Sequence, residues 1–381
     1  MSHGIGAFVL VVGLVGVISM SNPSTSSDTT ELIAIRAGED FDHGGLAAYL
    51  RGKLPGSETT LEIEQFAGGH ANLTYLLRYG TVEYVLRRPP VGPVAPGAHD
   101  MAREYRVLSQ LYQVYPPAPR AYVFCGDTTI IGAPFFIMER RRGTVVRRAI
   151  PAEFGDGGDA AINRRISEVL IDTLADLHQV DYRAAGLADV GKPDGFLQRQ
   201  VEGWTARYER AKTTELQVVD ELSRWLRDHL PASPTPTLLH NDFRLDNMMF
   251  DSRDPGRVVA VFDWDMCTVG DPLADLGTLL SLWIEAGEGI GGGGQGGMPS
   301  TVPGFLTRRE AVERYGQRRG VDVSNVPYYY VFGLFKIAVV LQQIYHRFHL
   351  GQTTDERFRS FEQLAELLFW MAKSRSESLT V

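Results

Sequence analysis

The stretch LLHNDFRLDNMMFD, residues 238–251, and the pentapeptide VFDWD, residues 261–265, decide how this chain is read. Each begins as an apolar, strand-like run and then turns polar, and the first resumes an apolar run after its polar loop, so both read as strands that open into loops. Asp242, Asn247 and Asp263 follow one another across those loops. All three offer hard oxygen atoms.

Such oxygens suit phosphoryl transfer. A nucleoside triphosphate brings several negative charges, and Mg²⁺, which neutralises them, takes carboxylate or amide oxygens alongside phosphate oxygens. Asn247 and Asp263 are of that type. A hydroxyl that attacks phosphorus must give up its proton, and Asp242 is placed to accept it. The spacing His-x-Asp-x4-Asn, His240 to Asn247, matches the protein-kinase catalytic loop, with Asp263 in the place of the later metal-binding Asp. His240 reads as a buried imidazole that holds the loop through backbone hydrogen bonds. Arg244 is expected to contact either the transferred phosphoryl group or a neighbouring carboxylate.

Composition narrows the class. With 44% hydrophobic and 22% charged residues the chain is an ordinary globular protein, and its net charge of −8 gives no basic footprint for nucleic acid. Its two cysteines are too few for a disulfide framework or a zinc site, so they are expected to be free thiols in a reducing, cytoplasmic setting. No membrane span is expected. The apolar run at residues 4–20 is shorter than a bilayer requires and lacks a positive n-region, so residues 1–30 read as a leader outside the fold, with Met20 the expected start.

Upstream of the loops, LEIEQFAGGHANLTYLLRYGTVEYVLRRPP alternates apolar and polar residues around glycine turns, as three antiparallel strands would. Gly68, Gly69, Asn72 and Thr74 lie in or beside the first turn, where backbone N–H groups can approach phosphate without side-chain obstruction. No Lys occurs between residues 54 and 191. Any cation serving the nucleotide from that half must therefore be Arg, and Arg87 is the candidate, with Arg88 its competitor. DMAREYRVLSQLYQVY has helical periodicity behind an Asp100 N-cap, and it carries Glu104, the natural partner of Arg87. Met138, Glu139 and Arg140 are expected to connect two lobes, where exposed backbone groups could read the nucleotide base.

From residue 150 onward the apolar spacing is mainly helical. Asp271 fits a helix N-cap, Asp275 a brace for the loop, and Asp265 a weaker metal candidate than Asp263. EGIGGGGQGG, residues 288–297, has no core-forming power.

On YVLRRPP, AHDMAREYRVLSQL, IIGAPFFIMERRRG, LLHNDFRLDNMMFD and AVFDWDMCTVGDPLADLGTLL, the chain resembles the aminoglycoside phosphotransferase superfamily, closest to the branch associated with acyl-CoA dehydrogenases. The resemblance implies an α+β, bilobal protein-kinase-like fold. Its small N-lobe, residues 31–139, would hold an antiparallel sheet and one main helix, and its larger helical C-lobe, residues 140–381, the catalytic loop and acceptor site. It further implies ATP or GTP with Mg²⁺, Asp242 as base, Asn247 and Asp263 as metal ligands, and an Arg87–Glu104 ion pair. This chain departs from the superfamily at Asn241, where Gly is usual; Asn tolerates left-handed backbone better than most residues.

The acceptor is narrowed by charge. The segment expected to wall its site, residues 323–354, has no Asp or Glu but carries Lys336, His346, Arg347 and His349. A small hydroxyacyl compound or its CoA thioester suits that wall better than a polycationic drug. An antibiotic-modifying phosphotransferase and a nucleotide-binding pseudokinase are the competing readings; oligomeric state is not legible.

Overall fold

The structure, a computed structural model, describes residues 31–67, 72–91, 100–285 and 298–381. The leader, Gly68 and Gly69 lie outside the described residues. Strands β1 (Leu32–Ile33), β2 (Leu61–Phe66), β3 (Leu73–Tyr79), β4 (Val82–Arg88), β5 (Ala121–Cys125) and β6 (Phe135–Glu139) form a six-stranded antiparallel sheet ordered β1-β2-β3-β4-β6-β5. Period-two alternation in β3 and β4 sends one set of side chains outward and the other inward. The outward layer, including Tyr75, Leu77, Tyr84 and Leu86, packs against Leu46 and Leu50 of α1 (His43–Leu50).

The inward layer, with Val85, Phe136 and Met138, meets α2 (Met101–Leu111). Asp100 caps α2 by accepting from the Arg103 N–H at 3.0 Å, which satisfies one of the free donors at the helix start. Val107, Leu108 and Leu111 of α2 belong to the same buried cluster as the helical half. The hydrophobic core thus runs without interruption from the sheet into the C-lobe.

Beyond β7 (Thr144–Val145) the chain folds into α3 (Ala160–Leu177), α4 (Phe196–Ala211) and α5 (Gln217–Asp228), whose apolar faces enter that core. β8 (Thr237–Leu239), β9 (Met248–Asp251), β10 (Asp254–Val261) and β11 (Thr268–Gly270) then carry the two polar loops. The remaining helices are α6 (Pro272–Ser281), α7 (Arg308–Arg319), α8 (Val326–His349) and α9 (Phe361–Ser378). No helix among the described residues is long and apolar enough to cross a membrane.

One expectation is corrected. Met138 and Glu139 are the last residues of β6 rather than a connection, because β4 and β5 both pair with β6 there: Met138 lies opposite Val85 and Ala121, and Glu139 opposite Tyr84. The Glu139 N–H is already spent on the Arg120 carbonyl at 2.8 Å. The linking segment therefore begins at Arg140.

Helices α6 and α8 cross closely enough that backbone meets backbone. A Cβ added to Gly277 would run into the Tyr329 carbonyl, and one added to Gly333 into the Gly277 carbonyl. Neither atom can swing aside as a side-chain tip could. Gly277→Ala is therefore expected to cost about 1–3 kcal/mol through overpacking, seen as a lower melting temperature; an unchanged melting temperature would show that the crossing has slack.

Candidate active site

The strand pairing brings the two polar loops together. Leu239, which opens loop 240–247, is paired with Thr268, which closes loop 262–267; Met248, which closes the first, is paired with Val261, which opens the second. Each loop is therefore pinned to the other at both ends. Three further bonds stitch them: Phe262 N–H to the Asn247 carbonyl at 2.8 Å, His240 Nε2 to the Phe262 carbonyl at 2.8 Å, and Asn241 Nδ2 to the Met266 carbonyl at 2.8 Å.

His240 is wholly buried and bonded at both ring nitrogens. Its Nε2 faces a carbonyl and must donate, while its Nδ1 receives the Asp242 N–H at 3.3 Å. Held at both nitrogens, the ring works as a spacer between the loops. Asn241 takes φ +68°, the left-handed region that glycine favours. Its side-chain bond to Met266 compensates for that conformation.

Behind the loop stands Asp275, on α6. Its carboxylate accepts from the backbone N–H of His240 and of Asn241, each at 2.7 Å, and lies 3.3 Å from His178 Nε2. Burial works to raise its pKa, but His178, His240 and the backbone donor outweigh burial and hold it below the ordinary carboxylate range. His178 in turn bonds the Tyr315 hydroxyl through Nδ1 at 2.7 Å. Sequence pattern alone does not single out His178, which looks like the ordinary tail of a helix.

In front of this support, Asn247 Nδ2 donates both to the Asp242 carbonyl at 2.8 Å and to Asp242 Oδ2 at 2.9 Å. That fixes the amide's orientation and leaves its oxygen without a donor among the described residues. Asp242 Oδ1 is likewise without a donor there, and a third of the side chain is open to solvent. Arg244 lies 3.6 Å from Asp242 and 3.6 Å from Asp246, an electrostatic neighbour of both without a hydrogen bond to either.

Asp263 sits at φ +68°, an uncommon conformation for a residue with a Cβ. Its Oδ1 is held by Arg87 Nη2, while Arg87 Nη1 lies 3.1 Å from Glu104 Oε1. The same Glu104 oxygen accepts the Trp264 N–H at 3.4 Å. Burial opposes the charge on Arg87, yet Glu104, Asp263 and Asp265 outweigh it and raise its pKa further. Burial pushes the Glu104 carboxyl up to about 7 against the downward pull of Arg87, with Asp263 and Asp265 adding to the rise. Asp263 itself is lowered: burial resists, and Arg87, His240 and Arg244 prevail.

Arg88 points to the other face of the sheet. It donates to the Ile131 carbonyl at 3.1 Å and lies over the Phe41 ring, so strand alternation decides between the two arginines. Thr74 is opposite Arg87 in the β3–β4 ladder, and Asn72 is buried just before β3. Arg103, unremarkable in the sequence, reaches across from α2 to the Cys267 carbonyl at 2.5 Å and the Val190 carbonyl at 2.7 Å. It fastens α2 to loop 262–267.

No group of three or more His, Cys, Asp or Glu side chains among the described residues is arranged to hold a metal ion. A divalent cation here would rely on the free oxygens of Asn247 and Asp263 plus oxygens of a phosphate ligand, which is the coordination that Mg²⁺ favours in nucleotide sites. The donor set fits.

The chain is similar to known phosphotransferases. The family model described as "Phosphotransferase enzyme family" matches residues 62–305. Acyl-CoA dehydrogenase family member 11 of Gallus gallus is 33% identical over 345 residues, covering 88% of this chain and 43% of that protein. The chain spans less than half the length of the curated relatives it matches. A solved structure from Ralstonia eutropha JMP134, provisionally assigned as an aminoglycoside phosphotransferase, is 31% identical with a TM-score of 0.77, covering 89% of this chain and 99% of that one. Choline kinase from Cryptosporidium parvum shares the fold at 11% identity and a TM-score of 0.59, covering 89% of this chain and 96% of its own.

Removing the carboxylate of Asp275 would leave two backbone N–H groups and His178 buried without their partner. Asp275→Ala is expected to destabilise the protein by about 3–5 kcal/mol, by analogy with breaking a buried charge pair. Denaturant unfolding checks this, and a loss under about 1 kcal/mol, the worth of one ordinary hydrogen bond, would refute the bracing role.

Proposed function

The chain belongs to the phosphotransferase enzyme family, and from that premise we propose that it transfers the γ-phosphoryl group of ATP or GTP, with Mg²⁺, to a hydroxyl of a small acyl compound. The observation that carries the reading is the pinning of the two loops, which sets Asp242, with a free carboxylate oxygen, beside Asn247 and Asp263, each with a free oxygen of its own. A pseudokinase would have no use for all three.

Residues 31–139 act as the nucleotide lobe and residues 140–381 as the lobe that carries the base and the acceptor. Asp242 takes the hydroxyl proton while the acceptor oxygen bonds to the γ-phosphorus and the bond to the bridging oxygen breaks; the nucleoside diphosphate leaves with that oxygen. Asn247 holds Asp242 in register through its amide N–H groups and offers its oxygen, with that of Asp263, to the cation. Mg²⁺, when bound, neutralises phosphate charge. Arg87 supplies positive charge from the sheet, and Glu104 orients it. Arg244, ion-paired with Asp242 and Asp246, brings positive charge beside the base to meet the transferred group. Gly68 and Gly69, with Asn72 just before β3 and Thr74 within it, are assigned to the phosphates, and Met138 and Glu139 at the end of β6 to the base.

A hydroxyacyl acceptor, free or as its CoA thioester, follows from two supports. The α8 wall carries no carboxylate that would attract a polycation, and the curated relatives are named for acyl-CoA dehydrogenases. The free acid and the thioester are separate candidates within that class.

Asp242→Ala should lower turnover by about 10²–10⁴-fold, the usual worth of a general base. The thermal shift produced by nucleotide with Mg²⁺ should persist in that variant. Turnover left intact would remove Asp242 from the base role, and absence of any nucleotide-dependent shift in the wild type would remove the phosphotransferase reading itself.

A further inference from the structure

Lys336 stands apart from the other cations of this chain. It lies within α8, is only 8% exposed, and its ammonium has one hydrogen-bond acceptor, Thr278 Oγ1 at 3.1 Å. Thr278 spends its own proton on the Ala274 carbonyl at 2.8 Å, so it receives the lysine bond through a lone pair. No carboxylate is within ion-pair distance of Lys336 among the described residues. The rings of Trp204 and Phe332 flank the ammonium, 5.6 and 5.9 Å from it.

A buried ammonium without an ion pair is costly, and it usually either loses its proton or is kept for a ligand. Here the surroundings act in both directions. Burial, the larger influence, lowers the pKa of Lys336; Asp275 and Asp242 pull it back up, and Arg207 adds a small further lowering. Thr278, which holds the ammonium, lies one turn past Ala274 on α6 beside Asp275, and Asp275 gathers the backbone N–H groups of His240 and Asn241, so Lys336 packs against the support of the loop that carries Asp242. Arg207 lies over the same Trp204 ring at 4.4 Å and likewise has no carboxylate partner among the described residues. The surroundings of Lys336 are aromatic and positively charged.

His346, Arg347 and His349 do not share this position. His346 is ten residues further along α8, about 15 Å at the helical rise, and Arg347 and His349 are exposed. Of the cations that the wall presents, Lys336 alone is buried.

We propose that Lys336 is the specificity residue of the acceptor site: its ammonium receives an acyl oxygen of the acceptor, a carboxylate or a thioester carbonyl a few bonds from the reacting hydroxyl, and turns away cationic acceptors. The inference rests on the phosphotransferase reading. An acyl oxygen supplies the acceptor that Lys336 lacks, between aromatic faces suited to the carbon chain. An amino alcohol or aminoglycoside would instead set ammonium against ammonium with no carboxylate to share.

The test uses the full chain with saturating nucleotide and Mg²⁺. Four probes are compared: a short hydroxy acid, its CoA thioester, the diol of the same length without an acyl group, and an amino alcohol. Wild-type protein is expected to phosphorylate one or both acyl probes and to leave the amino alcohol untouched; which acyl probe is preferred tells carboxylate from thioester carbonyl. In Lys336→Met, which preserves side-chain volume, KM for the preferred acyl probe should rise about 30-fold, the loss of one charge-assisted hydrogen bond, with kcat changed much less. Lys336→Arg should recover part of that loss. The nucleotide-dependent thermal shift reports folding in each variant, and should Lys336→Met fail to fold, the acyl preference of Lys336→Arg against the diol decides.

An unchanged KM in Lys336→Met, an equal loss on acyl probe and diol, or amino-alcohol turnover by the wild type would each overturn the assignment while the phosphotransferase reading stands. Nucleotide binding without transfer to any probe or to water would overturn that reading and the assignment with it.

Discussion

One guanidinium shared by two carboxylates from distant parts of the chain ties the site together. Arg87 comes from β4, Glu104 from α2 and Asp263 from the loop after β10. All three are largely withdrawn from water, where unpaired charges are expensive, so each depends on the others for its ionised form. The pairing also gathers the site: the sheet's cation, the helix that carries its partner and the candidate metal ligand arrive at one point. Arg103, bonded to Cys267 and Val190, prevents α2 from drifting out of that arrangement.

The loop that carries Asp242 is held from the opposite side by the carboxylate of Asp275. Asp275 gathers two consecutive backbone N–H groups of the loop, and His178 with Tyr315 holds Asp275. Asn241 must turn into the left-handed region for both N–H groups to reach one carboxylate. Asp242 then emerges with its free oxygen forward, and Asn247 holds it by one bond to the backbone carbonyl and one to the carboxylate. Rigid backing of this kind would let the proposed base keep its aim without spending binding energy on ordering itself.

The sequence alone determined a good deal. Asp242, Asn247 and Asp263 were legible as a candidate site because the chemistry of phosphate and Mg²⁺ demands oxygen ligands at short spacings. The sheet and helices followed from periodicity, which is a local property of the chain. The absence of Lys from residues 54–191 singled out arginine for the nucleotide side. Asp271 and Asp275 were legible as cap and brace from their position at the start of a helix.

What tertiary structure alone decided depends on contacts between segments far apart. The competition between Arg87 and Arg88 was settled by which face of β4 meets α2. Met138 and Glu139 belong to the sheet because two neighbouring strands claim their backbone groups, a fact no property of FFIME contains. His178, Arg103 and the burial of Lys336 have no local signature: each matters through a partner between about sixty and more than one hundred and fifty positions away, and only the folded chain brings such partners within reach of a hydrogen bond or a charge.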